Sequence, residues 1–268
     1  MTILPNPIPS QAIEAEFEKA ALMNTFIAAT LPSSFTEDEN HLFSTISLHV
    51  LMVHEHQGAI AYLIRNGQFN GSALALLRPL AEAASRAHWL YACGTKDDLA
   101  RVRAGKKLKT IRDGKKVDLT FREMAEQAED KLSTGGLISS VVPFIPTLHE
   151  LTHGGLAQLI RNVDAEGNIR PSHSEQDRIM ALGSSTAQLT ILTIAYGQLV
   201  AGGEPETASK QIGERFISLY PLTSTQRVTA LLPCAPKSDR ARYRQTGNYA
   251  SVSTGPRCCL SRYFRIAD

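Results

Sequence analysis

The stretch Gly71-Ser-Ala-Leu-Ala-Leu-Leu-Arg-Pro-Leu-Ala-Glu-Ala-Ala-Ser-Arg-Ala-His-Trp-Leu90 decides the fold of this chain. Alanine and leucine dominate it and recur on every side of a helical projection. The pattern therefore predicts a helix over residues 72–93 that is buried on most of its sides. Such a helix needs apolar partners all around it, and the rest of the chain has to supply them.

Apolar residues at helical spacing predict those partners on both sides of the stretch. The predicted helices cover residues 10–29, 37–65, 119–132, 147–161, 174–200 and 206–219, with proline, glycine or capping residues at several of their ends. The basic residues 101–116 are interpreted as an exposed connection, and residues 137–142 fit either a strand or a turn. Without repeats or strong strand patterns, the prediction is an all-α fold, an antiparallel bundle of about six or seven helices.

Length and composition divide the chain into a body and a tail. With 268 residues, 43% apolar and 20% charged, it can bury one sizeable core. We predict an N-terminal helix and linker over residues 1–36, a helical core over 37–203 and a closing helix over 204–219. Residues 220–268 hold eight Lys/Arg against two Asp and lack any helical period. They are predicted to be a poorly ordered extension or a basic arm for nucleic acid or an acidic partner.

The sequence predicts a cytoplasmic protein without a membrane partner. We find no apolar run that approaches the length of a membrane-spanning helix, and the first residues lack a signal-peptide pattern. Four cysteines form no CxxC pair, which fits a reducing compartment.

Three charged residues recur every fourth position in the central helix. Arg78, Glu82 and Arg86 therefore share one face in surroundings that are otherwise apolar. Buried charges need partners, so the row forms either an ion-pair ladder or a ligand-binding face. Pro79 removes one backbone donor and obstructs the carbonyl of Ala75, which predicts a kink beside Arg78.

A second motif, His149-Glu150-Leu151-Thr152-His153, spells the zinc-protease signature HExxH. Two histidines four residues apart share a helix face and can both bind Zn²⁺, while Glu150 can act as general base on the bound water. Glu175 is the predicted third metal ligand, with His173 and Glu166 as other candidates. Zinc is expected only if this interpretation holds; otherwise no cofactor is expected.

Three blocks resemble the signature of a bacterial family of domains of unknown function. They are residues 71–90, the element Leu151-Thr-His-Gly-Gly155 through Arg161-Asn162, and Gly167-Asn-Ile-Arg-Pro-Ser-His-Ser174. The resemblance spans about residues 40–203 and implies an all-helical cytoplasmic domain. It also implies that the polar signature positions are Arg78, Glu82, Arg86, Thr152, His153 and Arg161. Family members commonly have tyrosine or serine-tyrosine before the Thr-His-Gly-Gly element, where this chain has His149 and Glu150.

Three functions follow as alternatives. The first is a sensor or defence-type effector whose pocket binds an anionic small molecule or RNA through Arg78, Glu82, Arg86, Thr152 and Arg161, with His153 as a candidate acid or base. The second is a zinc metallopeptidase. The third is a ribonuclease of the HEPN type, although no Arg–His pair in the chain has the spacing of those enzymes. Gly154 and Gly155 are expected to allow close helix approach, and the surplus of apolar helix faces predicts a homodimer.

Overall fold

The computed structural model describes residues 9–30, 41–67, 69–132, 136, 138–153, 173–200 and 207–220. These residues form eight α-helices: α1 Gln11–Thr30, α2 His41–Asn66, α3 Asn70–Cys93, α4 Lys96–Arg103, α5 Phe121–Leu132, α6 Ile145–Thr152, α7 Glu175–Val200 and α8 Thr207–Leu219. The described residues also form one antiparallel hairpin, in which β1 Lys109–Arg112 pairs with β2 Lys115–Asp118, and a 3₁₀ helix over Ser139–Phe144. The predicted all-α class is confirmed.

Helix α3 lies at the centre of the bundle. It contacts α2, α5, α6 and α7, so it is surrounded as its composition predicted. Alanines face these neighbours and let the helix axes approach closely, because a methyl group fills little space between two backbones. The buried alanines of α3 are Ala73, Ala81, Ala83, Ala84 and Ala87.

Helix α7 is the second central element and contacts α1, α2, α3 and α8. Its buried hydroxyl groups donate to carbonyls about one turn earlier, as Thr190 does to Thr186 at 2.8 Å. Residues Glu175–Gly197 are long and apolar enough to cross a membrane, but 67% of that window is buried inside the bundle. The expectation that no apolar run approaches that length is therefore wrong, and the packing identifies α7 as a core helix.

Residues 101–116 are not the simple connection that was predicted. Helix α4 begins at a capping box in which Thr95 and Asp98 each bind the other's backbone N–H. The hairpin that follows turns at Asp113 and Gly114, whose φ angles of 51° and 71° suit a two-residue turn of type I′. The aspartate-glycine pair is a strong hairpin signal, which the many lysines around it concealed.

Two other boundaries differ from the prediction. Helix α6 begins at Ile145 and ends at Thr152, with His153 as its C-cap, whereas the sequence predicted a helix over residues 147–161. The ambiguous run before it is neither strand nor simple turn, because most of it joins the 3₁₀ helix. The predicted start of the second helix, at residue 37, lies outside the described residues.

The contact between α7 and α8 depends on a glycine. A Cβ atom at Gly197 would overlap the Ser209 hydroxyl oxygen, which donates to the Ile194 carbonyl at 3.3 Å. We expect Gly197→Ala to lower the free energy of unfolding by about 1 kcal/mol, because the added methyl group overlaps the Ser209 hydroxyl and forces this buried side chain to move. Urea denaturation measures this loss. The double variant Gly197→Ala/Ser209→Ala should regain most of it, since the next contact, the Ser209 Cβ, is 3.5 Å away; equal losses in both variants would contradict the argument.

Candidate functional site

The contact between α3 and α6 is built around Pro79. Proline has no backbone N–H, so the Ala75 carbonyl one turn earlier loses its helical hydrogen bond. The Thr152 hydroxyl approaches that carbonyl at 3.2 Å and also lies 2.8 Å from the Leu148 carbonyl in its own helix. The hydroxyl has one hydrogen, which the two carbonyls share, and its approach to Ala75 offers a substitute for the bond that α3 lacks and links α6 to α3. The contact of Thr152 with a ligand stays a prediction.

Arg78 joins the two helices on the same side. Its Nε donates to Glu82 Oε1 at 3.0 Å, and its Nη1 contacts His149 Nδ1. A guanidinium group carries only donors, so Nδ1 has to be the acceptor and the ring proton of a neutral His149 lies on Nε2. The Arg78 and Glu82 side chains keep 22% and 31% of their surface exposed, so this group lies at the edge of the core and faces solvent.

His153 extends the group at the end of α6. Its ring centroid is 4.5 Å from that of His149, with the ring planes inclined by 54°. Both rings are exposed. We refer to Arg78, Glu82, His149 and His153 as the Arg/His cluster. It offers a guanidinium, an imidazole N–H donor and a second imidazole to one region of solvent.

The geometry of His149 disfavours a zinc ion. Ligation through Nδ1 would displace Arg78, and ligation through Nε2 would move the ring proton onto Nδ1, where it would face the Arg78 donor. Among the residues that the structure describes, no three of His, Cys, Asp and Glu are grouped to hold a metal. Glu175 is exposed in the first turn of α7 and does not join His149 and His153.

The other described residues of the predicted zinc site, the general base Glu150 and the alternative ligand His173, add no ligand to this group. Glu150 is half-buried next to His149, and His173 is buried just before α7. Glu166 lies outside the part of the chain that the structure describes.

Arg86 belongs to a different contact. Arg86 faces His49 on α2. The pKa of His49 is lowered mainly by burial of the ring, and the positive charge of Arg86 lowers this pKa further. The hydrogen bond with the Thr45 carbonyl raises it in part. Within the described ranges Arg86 forms no ion pair, so the predicted ladder is limited to Arg78 and Glu82. Arg161, Gly154 and Gly155 lie outside the described residues.

The partnership of Arg78 with His149 was not predicted. The two residues are 71 positions apart in the sequence. The HExxH pattern predicted a metal ion as the partner of His149, whereas the structure places a guanidinium there. The sequence did place Arg78 and Glu82 on one helix face. It carried no signal for the residue that would meet them from another helix.

Comparison with known proteins gives one match. A family model described as a family of unknown function, DUF6988, matches residues 50–221, which include the whole Arg/His cluster. No curated protein and no solved structure matches the chain.

Proposed function

Because the chain belongs to DUF6988, a family of unknown function, we propose a function from the site itself: the Arg/His cluster binds an anionic small molecule. The observation that carries the proposal is the contact between Arg78 and His149. This contact places the Arg78 guanidinium beside the exposed His149 ring and leaves the ring proton of a neutral His149 on Nε2. Two kinds of donor then face one region of solvent, as recognition of a phosphate or carboxylate requires.

Glu82 gives the cluster its selectivity. Its carboxylate occupies Nε of Arg78 and places a negative charge beside the donors. Glu82 repels any anion, so an anion that accepts a single hydrogen bond gains little there. An anion with several acceptor oxygens can use the remaining guanidinium N–H groups and the imidazole N–H together, and these bonds offset the repulsion. Phosphate-containing small molecules fit this description, and such a binder would serve as a sensor or effector.

Anion binding is testable with inorganic pyrophosphate as the probe. We expect Arg78→Met to weaken pyrophosphate binding about tenfold or more, because a charge-assisted hydrogen bond is worth roughly 1.5–3 kcal/mol. Glu82→Gln should strengthen binding, because it removes the competing charge. Isothermal titration calorimetry measures both effects. The control is Arg122→Met, which removes a guanidinium from a surface pair with Glu126 at 3.8 Å. Unchanged binding in Arg78→Met, or no pyrophosphate binding by the wild type, would overturn the proposal.

The adjacent imidazoles support a second candidate, a metal-independent ribonuclease. One ring could take a proton from a ribose hydroxyl and the other could give one to the leaving oxygen, while Arg78 holds the phosphate. Incubation with single-stranded RNA and a chelator tests this. Cleavage that persists with the chelator and is lost in both His149→Ala and His153→Ala would support it. About one zinc per chain, lost in His149→Ala and kept in Glu150→Gln, would instead support the peptidase.

The cytoplasmic location and the homodimer remain predictions from the sequence. The proposed binding site does not depend on either of them, because the four cluster residues lie on α3, on α6 and at the C-cap of α6 in one chain. Light scattering on the purified protein measures the oligomeric state.

A further inference from the structure

A basic surface lies apart from the Arg/His cluster, around the hairpin. Residues 101–118 hold eight Lys/Arg and two Asp, whereas the whole chain has a net charge of only +2. We refer to this segment as the basic hairpin. It comes after the C-terminal end of α3, and Arg78 lies roughly 22 Å back along that helix at about 1.5 Å per residue. The basic hairpin is therefore a separate surface, and a role for it does not depend on the function proposed for the Arg/His cluster.

Part of this charge is neutralised at the base of the hairpin. Lys107 lies 3.2 Å from Asp118, and Lys109 contacts the same carboxylate. Arg112 pairs with Glu123 at the start of α5. The pair with Glu123 fastens the hairpin to the bundle, and the pairs with Asp118 join the two strands.

Three lysines of the basic hairpin are available to an external anion. In the described part of the chain, Lys106, Lys115 and Lys116 form no ion pair, and all three are exposed. Asp113 at the turn offsets only one of these charges. The strand register places Lys115 directly opposite Arg112. Because Glu123 neutralises Arg112, the positive charge left at this tip is that of Lys115 and its neighbour Lys116, with which an external anion can pair.

We propose that the basic hairpin binds duplex DNA through its phosphate backbone. A two-stranded ribbon fits the major groove, which is about 12 Å wide. Lys115 and Lys116 are adjacent on β2 and therefore project from opposite faces of the ribbon, so they would reach phosphates on both walls of the groove. Ile111 is 68% exposed at the tip, where it can contact a thymine methyl group or a sugar. A membrane surface fits less well, because binding to a bilayer is strengthened by buried apolar area and the tip offers only one isoleucine for it.

Fluorescence anisotropy with a short labelled DNA duplex tests this proposal on the full chain. We expect Lys115→Gln/Lys116→Gln to weaken DNA binding on the order of tenfold. The slope of the logarithm of the binding constant against the logarithm of the salt concentration should fall in magnitude by about 2, since two phosphate contacts are lost. Both side chains are exposed, so the variant should keep the far-ultraviolet circular dichroism of the wild type. The matched control is Lys210→Glu on α8, which changes the net charge by the same amount and lies next to Glu214.

Each outcome decides the proposal. Weaker binding and a shallower salt dependence in the double variant, with Lys210→Glu close to the wild type, support it. Three results overturn it: no binding of duplex by the wild type, equal losses in both variants, or full binding by the double variant, which would assign any DNA contact to another part such as the basic residues 220–268. Binding to anionic phospholipid vesicles but not to duplex would also overturn it and assign the surface to membranes.

Discussion

Lowering the pH from 6.5 to 4 is expected to destabilise this protein by up to about 3 kcal/mol through His88 alone. His88 lies in the middle of α3 and is 1% exposed. Burial lowers the pKa of His88 to about 4, and the backbone groups of Ile191 and Ala84 and the charge of Glu129 oppose this only in part. Neither ring nitrogen forms a hydrogen bond of normal geometry among the described residues. These groups therefore stabilise a protonated His88 ring too weakly to offset the cost of its burial.

The direction of the effect follows from the two pKa values. In the unfolded chain the His88 ring titrates near 6.5, whereas in the fold its pKa is about 4. Between these values the unfolded state binds a proton that the folded state does not, so the free energy of unfolding falls as the pH falls. The contribution of His88 is complete above about pH 6.5 and is lost progressively down to about pH 4.

Urea denaturation at several pH values, on the wild type and on His88→Leu, measures this contribution. Leucine has a similar volume and does not titrate, so the difference between the two proteins should shrink or reverse as the pH falls. His49, whose pKa is also lowered, titrates in both proteins and cancels in the comparison. Two curves that run parallel from pH 7 to 4 would show that His88 is not the buried titrating group.

The position of α3 in the core was predictable from its hydrophobic composition alone. The Ala/Leu-rich composition around Pro79 indicated a helix buried on most sides, and α3 has that position because every neighbour must cover part of it. The hairpin was missed for a physical reason. Its strands are short and rich in lysine, which has a weak preference for strands, and its register is set by the turn at Asp113 and Gly114.

Only the α3 residues of the candidate site could be grouped from the sequence. Regular spacing places Arg78 and Glu82 on one face of α3, because helix geometry relates residues four positions apart. No local rule relates α3 to α6, so the contact with His149 is a property of the folded bundle. The same is true of Thr152. Pro79 indicated that the Ala75 carbonyl would need a new donor, but the sequence did not identify which side chain would provide it.

Thr152 and Pro79 are expected to be coupled energetically. Thr152→Val should lower the free energy of unfolding by about 1–2 kcal/mol, because the half-buried Ala75 carbonyl then has no donor. The Leu148 carbonyl loses less, since it lies within α6, where a backbone amide can serve it. In a Pro79→Ala background, the new amide at position 79 can bind the Ala75 carbonyl directly. The cost of Thr152→Val should then fall to a few tenths of a kcal/mol.

A double-mutant cycle by urea denaturation measures this coupling. The expected interaction free energy is about 1 kcal/mol, above the usual error of additivity for independent sites. Thr147→Val is the matched control, because it makes the same chemical change at an exposed position of α6 and should cost the same in the wild-type and Pro79→Ala backgrounds. If the costs of Thr152→Val and Pro79→Ala simply add, the Thr152 hydroxyl is not the replacement donor. The attachment of α6, and with it the position of His149 beside Arg78, would then depend on apolar packing of Leu148 and Leu151.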